Sequence, residues 1–277
     1  MIPIPRFHLF ELEDQPWFPA VVRDLATDYL HFVETTFALH RPVVALLGEG
    51  LRATKAEHVI DLCSGGGGPI LPLQKDLAAE GLTVTFTLTD RFPNLPAFER
   101  AAAVSRGRIA FVAEPVDARA VPVRLIGFRT LFNGFHHFRP ADATAVLRDA
   151  AWAGQPIGIF EISERRLRTI VPLLLTPLFV ALATPFIRPF RWHRLLWTYI
   201  VPLVPLTCWW DGIVSQLRAY KPAELERLAN AVAVETYSWR AGQVPISSTP
   251  GYLTYLLGFP RDVRSTRRPT SCYSATR

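Results

Sequence analysis

The stretch HVIDLCSGGGGPILPLQKDL, residues 58–77, joins a short apolar run to a helix-like segment through four consecutive glycines. The apolar run ends with Asp61 and Leu62, and the glycines follow two residues later. Glycines at such a junction leave the backbone N–H groups open to a ligand, because no side chain shields them. The stretch therefore predicts a buried strand, a ligand-binding turn and a helix, in that order.

Strand and helix signals alternate on both sides of this stretch. Short apolar, β-rich runs are separated by segments with helical spacing, and residues 20–52 add one or two helices before the first strand. This alternation predicts an α/β fold with a mostly parallel sheet that carries helices on both faces. The predicted strands are HVIDL, TVTFTLTD, IAFVAE, LIGFRTLFN, PIGIFEI, VAVETYSWRAG and GYLTYLLGF.

Length and composition fit one α/β domain with an insertion. At 277 residues the chain can bury one sizeable core. Hydrophobic residues make up 49% and charged residues 19%, and this apolar balance directs attention to two long apolar runs within residues 169–210. The predicted parts are an N-terminal helical cap (1–54), a ligand-binding core (55–165 and 221–260), an apolar lid (166–220) and a disordered tail (261–277).

The formal net charge of +6 does not indicate nucleic-acid binding. About four of the excess positive charges lie in the last 17 residues, so the folded body is nearly neutral. No basic helix with interleaved aromatic residues and no zinc-finger spacing occurs elsewhere, so we expect no nucleic-acid partner. The charged residues of the tail are Arg261, Asp262, Arg264, Arg267, Arg268 and Arg277.

The cysteines and the N-terminus suggest a cytoplasmic protein. Cys63, Cys208 and Cys272 lie far apart without a C-x-x-C pair, so we expect neither a disulfide framework nor a metal site. The N-terminus has no basic segment followed by a long apolar core, so we expect no secretory signal.

Several nucleotide-binding motifs fail at the glycine loop. A phosphate-binding P-loop needs a lysine after its glycines, and none of Lys55, Lys75 and Lys221 is so placed. The dinucleotide pattern G-x-G-x-x-G would need a glycine where Ile70 stands. Nicotinamide chemistry is therefore a minor alternative, and a turn that only links a strand to a helix is another.

The arrangement resembles the class I, Rossmann-like methyltransferases that use S-adenosylmethionine. Their loop motif is roughly D-x-G-x-G-x-G, which Asp61, Gly65 and Gly67 match, while Cys63 stands where the first glycine is usual. The resemblance covers about residues 55–165 and 221–259. It implies an antiparallel last strand and S-adenosylmethionine as cofactor.

The resemblance also implies cofactor-binding roles at the other strand ends. Asp90 matches the acid that accepts hydrogen bonds from the ribose hydroxyls, and Arg91 follows it. Asp117 matches the acid near the adenine amino group, with Ala118 offering a main-chain N–H. Asn133 lies where the fourth strand passes the methionine part. Taken singly, Asp90 could instead be a helix N-cap and Asp117 an ordinary turn residue.

Candidates for the catalytic groups follow the fourth and fifth strands. His136 or His137, in FNGFHHFRP, could remove a proton from the acceptor, because histidine titrates near neutrality. Glu161 at the end of PIGIFEI could orient the acceptor. The alternative reading is that the histidine pair packs over the cofactor or caps the next helix, and that the carboxylate pairs with an arginine.

The apolar insertion leaves three structural readings open. It could lie at a membrane interface or re-enter it, pack on the domain as a roof over the acceptor, or span the membrane. Spanning is disfavoured because arginines near the middle would have to cross the bilayer. We place Trp209, Trp210, Asp211 and Arg218 in the acceptor pocket, with Asp211 and Gly212 forming a tight turn; a buried Asp–Arg pair is the alternative.

These observations predict a methyltransferase that transfers a methyl group from S-adenosylmethionine to an apolar or lipid-like small molecule. An apolar lid suits such an acceptor better than a charged metabolite. We also expect peripheral or re-entrant contact with the inner face of a membrane. The alternative is a non-catalytic, membrane-associated scaffold that keeps the fold.

Overall fold

The computed structural model describes residues 4–261, and its centre is a seven-stranded sheet of order β3-β2-β1-β4-β5-β7-β6. Strands β1 to β5 are mutually parallel, whereas β7 runs antiparallel to both β5 and β6. The predicted fold class, with its antiparallel last strand, is confirmed. The predicted tail falls almost wholly outside the described residues. The strands are β1 His58–Leu62, β2 Thr85–Leu88, β3 Ile109–Phe111, β4 Phe128–Phe132, β5 Ile157–Glu161, β6 Tyr237–Pro245 and β7 Tyr252–Pro260.

Ten α-helices accompany the sheet in the described residues, and several short 3-10 or π turns extend them. Two helices precede β1, as the spacing of residues 20–52 predicted. The helices are α1 Ala20–Thr36, α2 Arg41–Thr54, α3 Ile70–Ala79, α4 Leu95–Val104, α5 Pro140–Trp152, α6 Leu167–Ile170, α7 Thr176–Ala183, α8 Trp192–Leu195, α9 Leu203–Arg218 and α10 Pro222–Asn230.

Side-chain alternation along the strands builds a separate core on each face of the sheet. In β1, Val59 packs with α2, α3 and α4, whereas Ile60 and Leu62 pack with α5 and α10. All three side chains are almost fully buried. Burying one such side chain stabilises the fold by about 1.5–3 kcal/mol, so both faces hold the strand in register.

The insertion between β5 and α10 leaves the sheet and packs on the N-terminal cap. A helical run of residues 167–186 turns at residues 187–191 and returns through α8 and α9, and α9 packs against both α7 and α1. The tight turn predicted at Asp211 and Gly212 is wrong, because both residues lie inside α9. The Asp211 carboxylate is instead used by another segment, described below.

Residues 4–19 form an irregular segment, here called the N-terminal strap, that runs along α9. The Phe7 N–H donates to the Leu217 carbonyl at 3.1 Å, and the Trp210 indole N–H donates to the Phe10 carbonyl at 3.0 Å. Arg6 of the strap also donates to the His136 and Phe138 carbonyls, which follow the carboxyl end of β4, at the edge of the sheet where open α/β folds bind ligands.

Candidate functional site

The glycine loop is an open, left-handed turn at the end of β1. An added Cβ at Gly65, Gly67 or Gly68 would meet no atom within 4 Å, although each has a positive φ that strains other residues. The loop thus presents bare backbone to an open space. The loop residues with positive φ are Cys63, Gly65, Gly67 and Gly68.

Asp61 orders this loop from below. Its two carboxylate oxygens accept hydrogen bonds from the Ser64 hydroxyl at 2.6 Å and the Thr130 hydroxyl at 2.7 Å, and the side chain is almost fully buried. Burial raises the pKa of Asp61 to about 7. Through these hydrogen bonds Asp61 orders the loop.

Cys63 is accommodated by a glycine on the neighbouring strand end. Its φ is 57°, a left-handed conformation that glycine adopts more easily. A Cβ added at Gly134 would lie 3.2 Å from the Cys63 Cβ, so the missing side chain at Gly134 leaves room for the thiol. Burial raises the pKa of Cys63, and the thiol is therefore protonated near neutral pH.

Asp90 links the end of β2 to the glycine loop. Its carboxylate accepts from the Gly65 N–H at 2.9 Å and from the Phe92 N–H at 2.7 Å. Burial raises the pKa of Asp90 above its usual value. Arg91 beside it is exposed and places its guanidinium over the Phe92 ring. Asp90 therefore lies at the loop, as the predicted ribose contact requires, and it is not a helix N-cap, a role that Asn94 fills.

Asp117 is held by a bidentate ion pair with Arg119. The Arg119 Nη2 lies 2.7 Å from Asp117, and its Nη1 lies 2.7 Å from Asp142 on α5. These hydrogen bonds lower the pKa of Asp117, so it is ionised near neutral pH. Ala118 is buried next to it. The turn that carries both predicted adenine contacts is thus rigidly tied to α5.

Asn133 connects the end of β4 with the cap through Glu34, a residue that the sequence reading missed. The Asn133 amide donates to Glu34 at 2.8 Å, and its carbonyl oxygen accepts from the Ile162 N–H at 2.9 Å. Burial raises the pKa of Glu34 to about 7. The two residues are 99 positions apart, and no local pattern marks the contact.

His136 and Glu161 form a buried hydrogen-bonded pair. The His136 Nδ1 lies 2.6 Å from one Glu161 oxygen, and the other oxygen accepts from the Phe135 N–H at 2.6 Å. In the neutral imidazole, a hydrogen on Nδ1 that is donated to this carboxylate leaves the lone pair on Nε2. Nε2 is buried and has no hydrogen-bond partner within residues 4–261. The structure thus brings together two of the predicted catalytic residues.

His137 belongs to a different network, built with the strap. Its Nδ1 lies 3.0 Å from Asp14 and 3.2 Å from Glu11, and Arg218 approaches the same carboxylates at 2.8 and 3.3 Å. Burial alone would lower the pKa of His137, but the two carboxylates raise it to about 9. His137 is therefore protonated near neutral pH and cannot act as a base there.

Three of the four predicted acceptor residues on α9, namely Trp210, Asp211 and Arg218, contact the strap. Both Asp211 oxygens accept from strap N–H groups, Leu12 at 2.7 Å and Glu13 at 3.0 Å. Arg218 also donates to the Leu9 carbonyl at 2.7 Å. Trp209 and Trp210 are half-buried on the same helix. Asp211 and Arg218 bind different parts of the strap, and the alternative of an Asp–Arg pair does not describe them.

The same cluster has the composition of a small metal site. Glu11, His136 and His137 offer ligand atoms within 4.8 Å of one another. However, the buried Arg218 guanidinium lies 3.3 Å from a Glu11 oxygen, and its fixed positive charge opposes a divalent cation there. The cluster is better explained as an ion-pair network that fixes the strap.

Comparison with solved structures relates this fold to methyltransferases. Plantazolicin methyltransferase BpumL, solved in complex with SAH, is similar over 90% of this chain and 94% of its own, with a TM-score of 0.57 and 13% sequence identity. Two other structures align less closely. They are an O-methyltransferase family protein from Burkholderia thailandensis (17% identity, 84% of this chain, TM-score 0.46) and the O-methyltransferase NcsB1 from neocarzinostatin biosynthesis (15% identity, 84% of this chain, TM-score 0.45).

The chain spans 59% of the length of the Burkholderia protein and 61% of NcsB1. Comparison with protein-family models finds no match, and neither does comparison with curated proteins. The likeness to BpumL and the strand order agree with the motif matches at the strand ends. The fold of this chain is that of the class I, Rossmann-like methyltransferases.

Proposed function

We propose that the protein transfers a methyl group from S-adenosylmethionine to an apolar small molecule. The observation that carries this proposal is the glycine loop, with three positive-φ glycines facing open space and Asp90 bonded to its backbone. Such a cradle suits a ligand that lies against the main chain. BpumL and NcsB1, which were solved with SAH and with S-adenosylmethionine, supply the analogy for the cofactor.

The residues at the sheet edge would hold this cofactor in distinct ways. Asp90 keeps unused lone pairs for hydroxyl donors, although each oxygen already accepts one backbone N–H. The turn at Asp117 and Ala118 would support the adenine base of the cofactor, and Asn133 would border its methionine part. Bound S-adenosylmethionine supplies an electrophilic methyl group, so the protein must align the acceptor and accept its proton.

His136 is the group that we assign to proton removal. Its Nε2 is the free, lone-pair-bearing nitrogen, and it would accept the proton of an acceptor hydroxyl or amine as the new bond to the methyl group forms. Glu161 stabilises the resulting imidazolium through Nδ1. Glu11 lies 3.8 Å from Nε2, beyond hydrogen-bond distance, and the strap that carries it must leave room for the acceptor.

The apolar acceptor class is supported by the insertion that follows β5. No acidic residue occurs between Glu164 and Asp211, and most of the side chains there are apolar. An acceptor that approaches past this segment meets hydrocarbon rather than charge, which suits a quinone, polyketide, sterol-like or lipid molecule.

Calorimetric titration tests the cofactor directly. We expect S-adenosylmethionine and S-adenosylhomocysteine to bind the purified protein with micromolar dissociation constants, and NADPH not to bind. Absence of both binding signals in a sample with a cooperative unfolding transition would overturn the proposal. The non-catalytic scaffold would then be the better description of the protein.

A further inference from the structure

The lid hairpin, defined as residues 167–206, carries a concentrated apolar surface. Of the 26 large hydrophobic side chains that are exposed in the described part of the chain, 15 lie in these 40 residues. Soluble monomers rarely expose a contiguous apolar patch of this kind without a partner. The exposed members are Leu167, Val171, Leu174, Leu175, Leu178, Phe179, Leu182, Phe186, Phe190, Trp192, Leu196, Tyr199, Ile200, Val201 and Leu206.

In the first helical run of the hairpin the large apolar side chains point outward, whereas a surface helix of a soluble protein turns them inward. Its exposed residues recur at three- and four-residue steps and form one outward stripe of leucine, valine and phenylalanine. The inward face holds Thr176, Val180 and Thr184, all of them buried. Only 17% of the apolar window within Leu167–Phe186 is buried, so this run is not a core helix. Burial within the fold therefore does not account for the large apolar side chains of this run.

The charged residues within the sequence of the hairpin have a single sign. Residues 165–210 contain six arginines and no aspartate or glutamate. Arg188 is exposed at the turn, and Arg168 is partly exposed 3.3 Å from Glu164, whereas Arg165 and Arg194 are buried. An apolar stripe with a cationic border matches an anionic lipid surface, in which hydrocarbon lies beneath negative headgroups.

The turn of the hairpin is fastened to the cap. Arg194 is almost fully buried, its Nη2 lies 2.6 Å from Asp28 on α1, and its Nη1 donates to the Ile187 and Pro189 carbonyls. By length and composition Leu167–Phe186 could cross a bilayer, and so could Trp192–Ile200 with Leu203–Arg218, which are bent by 71°. Crossing would break the Arg194–Asp28 pair and leave buried charges unpaired, which is strongly destabilising.

We propose that the outer face of the lid hairpin docks on an anionic lipid bilayer, with its helical run lying along the membrane surface. The tethered turn at Arg194 keeps the hairpin on α1 while the outward stripe enters the headgroup boundary. The exposed aromatic side chains of Phe190, Trp192 and Tyr199 suit that depth, because aromatic residues concentrate at membrane interfaces. A second copy of the chain is a poorer occupant, since two identical faces would bring arginines against arginines.

Docking concerns the hairpin alone and does not require methyl transfer, so it is measured without cofactor. The probe is sedimentation with vesicles of phosphatidylcholine containing 30% phosphatidylglycerol, compared with pure phosphatidylcholine. The test variant is Leu178→Glu/Leu182→Glu, on the exposed stripe. Its matched control is Val123→Glu/Ile126→Glu, which makes the same chemical change at two exposed apolar residues of another loop. Circular dichroism and a cooperative unfolding transition verify that each variant is folded.

We expect wild type and control to sediment with the anionic vesicles and to bind pure phosphatidylcholine more weakly. The hairpin variant should partition about 100-fold less, because two leucine side chains no longer enter hydrocarbon. Equal partitioning of variant and control, or absence of wild-type binding, would overturn the proposal. A concentration-dependent dimer that only the hairpin variant abolishes would instead identify a second copy as the occupant. Wild type that resists alkaline carbonate extraction would overturn the surface geometry.

Discussion

The candidate site has two halves, the glycine loop with Asp61 and Asp90, and the region around His137 and Arg218 that the strap covers. Contacts of very different sequence range hold each half in place. The glycine-loop half depends on pairs of shorter range, such as Ser64 with Asp61 three residues away, Gly65 with Asp90 25 residues away and Thr130 with Asp61 69 residues away. The strap-covered half depends on pairs such as Asp14 and Arg218, which are 204 residues apart. The first half is a property of one motif on one sheet edge, whereas the second exists only when the strap and α9 meet.

The largest expected effect is on the chemistry at the border between these halves. His136→Asn removes the proposed base, and we expect turnover to fall by roughly 10²–10⁴-fold. The measurement follows transfer of a radiolabelled methyl group from S-adenosylmethionine to a panel of hydroxylated quinones, sterols and phenolic polyketides. His137→Asn is the matched control, since His137 is protonated near neutral pH and should matter less.

The same pair of variants distinguishes a chemical role from a packing role. Both variants should bind S-adenosylmethionine as wild type does, and Glu161→Gln should reduce turnover less than His136→Asn does. Equal losses for His136→Asn and His137→Asn would show that the histidines only support the local structure. In that case the catalytic assignment of His136 would be wrong.

The strap-covered half should fail first when its buried charges are unpaired. Arg218→Met removes the guanidinium that lies 2.8 Å from Asp14 and 3.3 Å from Glu11, so we expect the free energy of unfolding to fall by about 3–5 kcal/mol. Urea denaturation measures this change. The double variant Arg218→Met/Glu11→Leu should recover part of the loss, because it also removes the buried Glu11 carboxylate. A single variant within 1 kcal/mol of wild type would mean that the strap is not held by this network.

The sequence was sufficient to predict the sheet and the position of much of the glycine-loop half. Alternation of short apolar runs with helices predicted the parallel sheet, since β1 places Val59 on one face and Ile60 on the other. Asp61, Asp90 and the loop glycines lie at the expected strand ends for the same reason. In a parallel sheet, residues that end neighbouring strands meet at one edge, whatever their separation in the chain.

The strap-covered half was not predictable because its partners have no shared local pattern. Asp211 followed by glycine suggested a turn, yet Asp211 lies in α9 and its carboxylate accepts two strap N–H groups. Glu11 and Asp14 belong to none of the motifs of the sequence. Only the arrival of the strap gives these carboxylates their partners, and periodicity does not report such long-range pairing.

Asp90→Ala should weaken cofactor binding at the glycine-loop half without disturbing the strap. We expect the binding free energy of S-adenosylmethionine to weaken by about 1.5–3 kcal/mol, because a charged acceptor of hydroxyl hydrogen bonds is removed. Calorimetry measures the change, and Glu99→Gln, an exposed acid on α4, is the control. An unchanged dissociation constant in folded Asp90→Ala would refute the ribose role and leave Asp90 as a loop-ordering residue.

The smallest expected effect is the pH dependence of stability that Asp61, in the glycine-loop half, produces. The pKa of Asp61 is about 7 in the folded protein and lower in the unfolded chain, so the folded state holds this proton more tightly. Its contribution to stability is present at low pH, declines as pH rises toward 7, and is lost above that value. Between pH 6 and 8 the free energy of unfolding should therefore fall by roughly 1 kcal/mol through this group. Asp61→Asn cannot titrate and should make this part of the profile, measured by urea denaturation, less steep, while Glu34, whose pKa is also about 7, keeps its own contribution. An unchanged slope would place the titration elsewhere.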